Sequence, residues 1–307
     1  MKTEVIQLYE DRNDVTLTTY ILQDSPELLA GKERPAVLIC PGGGYFYCSD
    51  REAEPVALKF ASMGYHAFVL RYSTYCGETK RMPNLAKPIP VNENCKYPNA
   101  LREIGEAMRI IREHAKTWLV DMDKIAVCGF SAGAHNAAMY ATHWQEEVIS
   151  GYFQEEKEMF RPAALILGYV LSDYVYMKEA MKDFNSMNRR YFEGAAMAYL
   201  GEADPSEEIL DQVSPARHVT GDMPPTFLWA TAEDSLVPVQ HSLRMSYALA
   251  EKNIPFELHI FEKGSHGLAL ADQSSARTQG QINSDAAKWA ELAGNWLEKR
   301  FALPIEE

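Results

Sequence analysis

Apolar residues in this chain follow two alternating patterns. Short runs rich in β-branched and aromatic residues are bounded by turn residues, and between them apolar residues recur at helical spacing. This alternation is typical of a mostly parallel sheet whose strands are joined by crossover helices. Five strands are predicted over residues 15–22, 36–40, 66–72, 163–170 and 256–261, and the first of them is expected to be antiparallel. Two further strands are predicted, one that begins at residue 125 and one that ends at residue 231.

The helical segments have recognisable ends. Pro55 begins a helix that Gly64 ends, since proline is favoured in the first turn and glycine just after the last. Pro98 begins a long helix whose apolar residues recur at near-helical spacing as far as Trp118. The last predicted element is an amphipathic helix over residues 284–301.

Two segments depart from this framework. Residues 73–97 carry three prolines and no periodicity, and loops of this length are usually functional or disordered. Residues 171–224 are helical, polar and aromatic without a strand signal, so they are interpreted as a helical cap inserted into the domain. With no repeat, low-complexity segment or linker, residues 1–307 are predicted to form a single domain with this embedded cap.

Composition narrows the possible partners. The chain has 47% hydrophobic and 24% charged residues, as ordinary globular proteins do. Its net charge of −13 argues against nucleic acid or an anionic membrane as the main partner and favours a neutral or cationic small substrate. Composition does not indicate whether the chain forms a homo-oligomer.

Location is predicted from the thiols and from the absence of apolar segments. The N-terminal residues lack the apolar core of a signal peptide, and no stretch approaches the roughly 18 apolar residues of a membrane span. Five cysteines are an odd number, and Cys40 and Cys128 fall in predicted buried strands as small core residues. We therefore expect a cytoplasmic protein with reduced thiols.

The stretch Ile125-Ala-Val-Cys-Gly-Phe-Ser-Ala-Gly-Ala-His135 carries the first chemical signal. It passes from a strand through a small-residue turn into an alanine-rich helix. Gly129 and Gly133 flank Ser131 as a tight strand-to-helix turn requires, and the helix N-terminus would lie beside the serine oxygen. The context favours a nucleophile, although a purely structural turn would have the same pattern.

Two further residues follow predicted strands at the same sheet edge. Asp234 follows the strand that ends at Thr231, and His266 lies in a glycine-flanked loop after residues 256–261. The order serine, aspartate, histidine is that of α/β-hydrolase triads. In such a triad the histidine takes the serine proton and the aspartate orients the histidine.

A stretch of three glycines would supply the oxyanion donors. Backbone N–H groups of Gly43 and Gly44, together with that of Ala132, are predicted to bind the developing oxyanion. A dinucleotide loop is a poor alternative, because the third glycine of G-x-G-x-x-G is missing.

Other interpretations of individual residues remain open. Asp234 could cap a helix that begins near Pro238, with Asp173, Asp204 and Asp222 as weaker candidates for the acid. His135 would share the helix face of Ser131 and is expected to pack rather than act as the base. Aromatic residues could stack on sugars or form the core of the cap. They are Tyr45, Tyr75, Tyr174, Tyr176, Tyr191, Phe192 and Tyr199, of which Tyr45 and Tyr174 are the predicted substrate-binding residues.

The segment "PGGGYFYCSDREAEPVALKFASMGYHAFVLRYS", residues 41–73, resembles the oxyanion loop, helix and strand of bacterial acetyl-xylan esterases and feruloyl-esterase-like (BD-FAE-like) proteins. The likeness extends over most of the chain and fades in residues 171–224. Pro41 stands where related lipases of the hormone-sensitive type carry histidine, which changes the subgroup but leaves the backbone donors. The resemblance implies an α/β-hydrolase fold and removal of acetyl or similar acyl groups from sugars.

The residues thus predict a serine carboxylesterase with an acyl-serine intermediate, acting on short esters of xylo-oligosaccharides. An amidase or peptidase with the same triad is the alternative, since fold alone does not separate them. A non-catalytic binding protein is a third hypothesis, which predicts a lost triad member. No His, Cys or Glu cluster has metal-ligand spacing, so neither a metal nor a cofactor is expected.

Overall fold

The computed structural model describes residues 1–305; Glu306 and Glu307, the end of the predicted domain, lie outside the described residues. Within this range the chain forms eight strands and nine α-helices. The strands are β1 Lys2–Tyr9, β2 Arg12–Ile21, β3 Arg34–Cys40, β4 His66–Arg71, β5 Val120–Phe130, β6 Ala164–Gly168, β7 Thr226–Thr231 and β8 Phe256–Phe261. The helices are α1 Glu54–Ser62, α2 Asn99–Glu113, α3 Ala115–Trp118, α4 Ala132–His143, α5 Tyr174–Ala180, α6 Ser186–Leu200, α7 Glu207–Gln212, α8 Gln240–Glu251 and α9 Trp289–Phe301.

The strands form one sheet in the order β1-β2-β4-β3-β5-β6-β7-β8. The pairs β1–β2 and β2–β4 are antiparallel, and every later pair is parallel. The prediction of a mostly parallel sheet with one early antiparallel strand and flanking helices is confirmed. Strands β5 to β8 are neighbours, so the loops after them meet at one edge.

Three details differ from the sequence prediction. Strand β1 was not predicted, because as an edge strand it is mostly exposed and lacks a clear apolar alternation. The helix predicted to reach Trp118 ends at Glu113, and the short helix α3 follows. The last helix begins at Trp289, after a 3₁₀ turn at residues 286–288.

Both faces of the sheet are buried under helices. On β3, Leu38 packs in the cluster that contains residues of α2, α4 and α8, whereas its neighbours Val37 and Ile39 pack with residues of α1 and α9. This alternation follows from the two-residue period of a strand. Trp229 of β7 stacks on Trp289 of α9 with ring centroids 5.1 Å apart, which fixes the last helix against the sheet.

The segment predicted as a cap folds as helices. Residues 171–224 contain α5, α6 and α7 and no strand. The loop over residues 73–97, which has only two short 3₁₀ turns, packs against α6: the Tyr97 amide donates to the Tyr199 carbonyl at 2.7 Å, and the Cys95 thiol contacts the Ala198 carbonyl at 3.1 Å. None of the helices in residues 1–305 is long and apolar enough to cross a bilayer.

The turn between β5 and α4 is held in an uncommon conformation. Ser131 has φ 53° and ψ −119°, which costs a residue with a side chain about 1–3 kcal/mol. Its amide donates to the Gly168 carbonyl at 3.0 Å. A β-carbon on Gly129 would lie 2.4 Å from the Gly133 carbonyl oxygen, and one on Gly133 would lie 2.1 Å from that of Cys40. The two glycines are therefore required by backbone contact.

We expect Gly133→Ala to lower the free energy of unfolding by about 1–3 kcal/mol, because the added methyl group must displace the end of β3. Gly280→Ala is the matched control, since a β-carbon there would have no neighbour within 4 Å. It should change stability by less than about 0.5 kcal/mol. Urea unfolding followed by tryptophan fluorescence measures both, and equal stabilities would contradict the role given to Gly133.

Candidate active site

Three loops at the carboxyl edge of the sheet bring together the residues predicted from sequence. Ser131 follows β5, Asp234 follows β7 and His266 follows β8. The Ser131 hydroxyl oxygen lies 2.8 Å from His266 Nε2, and His266 Nδ1 lies 2.6 Å from Asp234 Oδ2. These are the contacts that a serine nucleophile, its base and an orienting acid require.

Asp234 uses both carboxylate oxygens. Its side chain is 1% exposed, and while Oδ2 faces His266, Oδ1 accepts the amides of Leu236 and Val237, both at 2.9 Å. The alternative role as a cap thus concerns a turn at residues 236–237, since α8 begins only at Gln240. Asp234 can therefore cap this turn with one oxygen and orient His266 with the other.

The partly buried imidazole of His266 has carboxylates nearby. Burial lowers the pKa of His266. The charge and the hydrogen bond of Asp234 raise this pKa, and the charge of Glu52 adds a smaller increase. The net result is a pKa above the ordinary value of histidine. The site therefore favours the protonated imidazole that forms once the serine has lost its proton.

Among the described residues, none of the other aspartates considered from sequence is bonded to His266. Asp173 caps α5 through the Tyr176 amide and pairs with Arg217 and Arg244. Asp204 is exposed and pairs with Lys178. Asp222 is exposed.

The glycine loop after β3 has a backbone that side chains would not permit. Gly43 has φ 133° and Gly44 has φ 62°. A β-carbon on Gly43 would lie 1.8 Å from the Tyr47 carbonyl oxygen. Among the described residues no acceptor is bonded to the N–H of Gly43 or Gly44, and the N–H of Ala132 is in the first turn of α4, where a helix supplies no acceptor. All three predicted donors are thus available.

A small cavity of about 20 Å³ lies beside Ser131, with room for about one water molecule. Gly44 and Ala132 line it, whereas Gly43 is not among its lining residues within the described chain. Helix α6 closes directly over the loop, because a β-carbon on Gly44 would lie 2.0 Å from the Tyr191 hydroxyl. The other lining residues are Tyr45, Leu171, Tyr174, Tyr191, Phe192, Ala195, Leu236 and Val237.

Tyr45 and Tyr174, the predicted substrate-binding residues, both line this cavity and are both buried. Tyr45 stacks on Tyr199 with centroids 4.3 Å apart, and its hydroxyl is bonded to His135 Nδ1. His135 Nε2 faces the Val213 carbonyl oxygen at 2.7 Å, so the proton is on Nε2 and Nδ1 accepts. Burial lowers the pKa of His135 to about 4, and this histidine supports the pocket wall.

Sequence reasoning did not identify Glu52 and Tyr169, which lie behind the glycine loop. Glu52 is buried; its Oε2 accepts the Gly42 amide at 2.8 Å and its Oε1 accepts the Tyr169 hydroxyl at 2.5 Å. An acidic residue near a helix start is ordinarily favourable to the helix dipole and exposed. The sequence around Glu52 therefore gives no signal of a buried role.

Comparisons with known proteins give the family and the fold of the chain. Residues 90–249, just over half of the chain, match the family model BD-FAE. The chain is 33% identical over 240 residues to endo-1,4-beta-xylanase B of Butyrivibrio fibrisolvens, which covers 78% of this chain and 33% of that protein. Other curated relatives are named as esterases, an acetylxylan esterase among them. The chain spans between a third and about half of the length of these curated relatives.

Solved structures match over the whole chain. The carboxylesterase Cest-2923 of Lactobacillus plantarum WCFS1 is 28% identical, with a TM-score of 0.77 and full coverage of both chains. The acetyl ester-xyloside bifunctional hydrolase of Caldicellulosiruptor lactoaceticus is 30% identical, with a TM-score of 0.72 and coverage of 97% of this chain and 96% of that one. The chain therefore belongs to the BD-FAE family and has the α/β-hydrolase fold.

Proposed function

We propose that this chain is a carboxylic ester hydrolase that removes acetyl or other short acyl groups from sugars such as xylo-oligosaccharides, through an acyl-serine intermediate. The observation that carries the proposal is the chain of hydrogen bonds from Ser131 through His266 to Asp234, beside a cavity of about 20 Å³. The location proposed for this activity is the cytoplasm, where the five free cysteine thiols would stay reduced.

The proposed reaction has two halves. His266 Nε2 takes the proton of the Ser131 hydroxyl as its oxygen bonds to the ester carbonyl carbon, and the carbonyl oxygen becomes an oxyanion. The amides of Gly43, Gly44 and Ala132 donate to this oxyanion. The carbon–oxygen bond to the sugar then breaks, and His266 gives its proton to the leaving alcohol. A water molecule, deprotonated by His266, releases the acid and restores the serine.

The cavity supports a short acyl group. Its walls are mainly apolar side chains and small residues, and its volume leaves no room for a long chain unless α6 moves. Tyr45 and Tyr174 would then contact the acyl group, not a sugar ring, since both are buried at the cavity wall. We propose that residues 171–224 act as the cap, because Tyr191, Phe192 and Ala195 of α6 line the cavity.

The sugar part of the proposal is supported by relatives. One solved relative is named an acetyl ester-xyloside bifunctional hydrolase, and one curated relative is named a xylanase. A neutral sugar ester also suits a chain with a net charge of −13 better than an anionic substrate does.

Wild type should release acetate from acetylated xylo-oligosaccharides and hydrolyse p-nitrophenyl acetate, and Ser131→Ala should lower kcat/KM for both at least roughly 10³-fold, because it removes the nucleophile. Acetate release and p-nitrophenol absorbance are the two readouts. Ser150→Ala is the matched control, since Ser150 lies in a turn beyond α4 and contacts the Gln145 carbonyl.

The outcomes separate the alternatives. Hydrolysis of p-nitrophenyl acetate without release of acetate from the sugar would contradict the carbohydrate substrate and direct the search to amides and peptides. Equal activity of wild type and Ser131→Ala would contradict the acyl-serine mechanism. A wild-type chain that is inactive and does not react with a fluorophosphonate would favour the non-catalytic hypothesis.

Phe192→Ala should widen the cavity and raise kcat/KM for p-nitrophenyl butyrate relative to acetate by roughly tenfold, since two buried methylene groups contribute about 1.6 kcal/mol. Phe192 is buried and lines the cavity. Met187→Ala, on the exposed side of the same helix, is the control and should leave the ratio unchanged. An unchanged ratio in Phe192→Ala would place the acyl group elsewhere.

A further inference from the structure

Glu52 is a buried carboxylate for which the reaction above has no use. Its side chain makes no ion pair with any lysine or arginine that the structure describes. Leaving a charge unpaired in the interior is costly unless hydrogen bonds compensate. Glu52 has two such bonds, from the Gly42 amide at 2.8 Å and from the Tyr169 hydroxyl at 2.5 Å. Its two oxygens thus connect the glycine loop to a residue after β6.

Gly42 is in turn packed against the nucleophile turn. A β-carbon at Gly42 would lie 2.6 Å from the Phe130 carbonyl oxygen, 2.8 Å from Glu52 Oε2 and 2.9 Å from the Ser131 β-carbon. Any displacement of the Glu52 carboxylate is therefore transmitted to the backbone that leads into Gly43 and Gly44.

Tyr169 carries the connection to the histidine loop. Its hydroxyl donates to Glu52 and accepts the Ala269 amide at 3.1 Å. Its ring contacts the His266 imidazole edge-on, with centroids 4.9 Å apart. Tyr169 itself has φ 39°, an unusual conformation for a residue with a side chain, and its amide is fixed by the Trp229 carbonyl at 2.8 Å.

Arg51, the neighbour of Glu52 in one 3₁₀ turn, binds the same histidine loop from outside. Its guanidinium donates to the carbonyls of Ser275 at 2.6 Å, Gly267 at 2.8 Å and Leu268 at 3.3 Å. Gly267 directly follows His266 in the chain. One turn thus contacts both loops that the proposed reaction needs, the oxyanion loop on one side and the histidine loop on the other.

We propose that Arg51 and Glu52 are positioning residues of the esterase reaction, which hold the oxyanion donors and His266 at a fixed separation through Gly42, Tyr169 and the His266 loop. The inference rests on the proposed triad. It assigns a role to residues that touch neither substrate nor the reacting atoms. Their loss should lower kcat with little change in KM, because binding of the ester does not depend on the alignment that the transition state needs.

The charge of Glu52 gives a second measurable effect, on the pH dependence of the reaction. Four groups face His266: the carboxylates of Asp234 and Glu52, the Ser131 hydroxyl and the Tyr169 ring. The guanidinium of Arg51 is a further charged group, bonded to the backbone of the loop that carries His266. His266 must be neutral to accept the serine proton, so the acidic limb of kcat/KM reports its pKa. Because a nearby negative charge raises the pKa of His266, Glu52→Gln should move this limb to lower pH.

Three variants test the proposal with p-nitrophenyl acetate, which reports the serine chemistry independently of any sugar. Glu52→Gln should lower kcat roughly 10- to 100-fold with KM within about threefold, and should move the acidic limb to lower pH. Tyr169→Phe should lower kcat with KM unchanged and leave the limb in place, since Glu52 keeps its charge. Glu54→Gln, an exposed carboxylate two residues away, should match wild type.

Circular dichroism and urea unfolding establish that each variant is folded, and Tyr169→Phe, which removes only one oxygen, carries the test if Glu52→Gln does not fold. Unchanged kcat in the folded variants, or a rise in KM alone, would overturn the positioning role and leave the proposed function intact. If the wild-type chain shows no turnover, or a turnover that Ser131→Ala does not abolish, both the positioning role and the proposed function are overturned.

Discussion

The approach of the α4 N-terminus to the end of β3 is the contact on which the rest of the site depends. Gly133 lies where a β-carbon would come within 2.1 Å of the Cys40 carbonyl oxygen, so the helix can begin directly above the sheet. Ser131 is then left at φ 53° with its hydroxyl at the sheet edge. Ala132 and Gly44 line the same cavity as Ser131, so the proposed nucleophile and oxyanion donors share one backbone constraint.

Charge in the site is balanced by hydrogen bonds more than by ion pairs. Asp234 is satisfied by two amides and His266, and Glu52 by an amide and a phenol. Two buried carboxylates near one imidazole favour its protonated form, although burial alone would lower its pKa. In the proposed reaction the imidazolium exists only together with the tetrahedral intermediate, so the fixed carboxylates would stabilise that charged state most.

The sequence predicts most of the framework, and also the three residues of the proposed triad that the structure brings together, because each has a local signal. Ser131 lies between glycines at a strand-to-helix junction, and Asp234 and His266 each follow a strand. Strand β1 has no such signal, since exposure of most of its residues removes the apolar alternation. Glu52 has none either, because its burial results from contacts with Tyr169, far away in the chain.

The role of the residues at the cavity wall also depends on contacts between segments that are distant in the chain. From sequence, the aromatic residues of the inserted segment are compatible with a sugar platform or a core. The structure places Tyr191 against Gly44, whereas Phe192 belongs to the buried core and also lines the cavity. In the proposed reaction the loops after the strands supply the reacting side chains, while α6 limits the space for the acyl group. We expect changes in α6 to alter which ester fits without moving Ser131, because the contacts that hold the Ser131 turn come from β3 and β6 and not from α6.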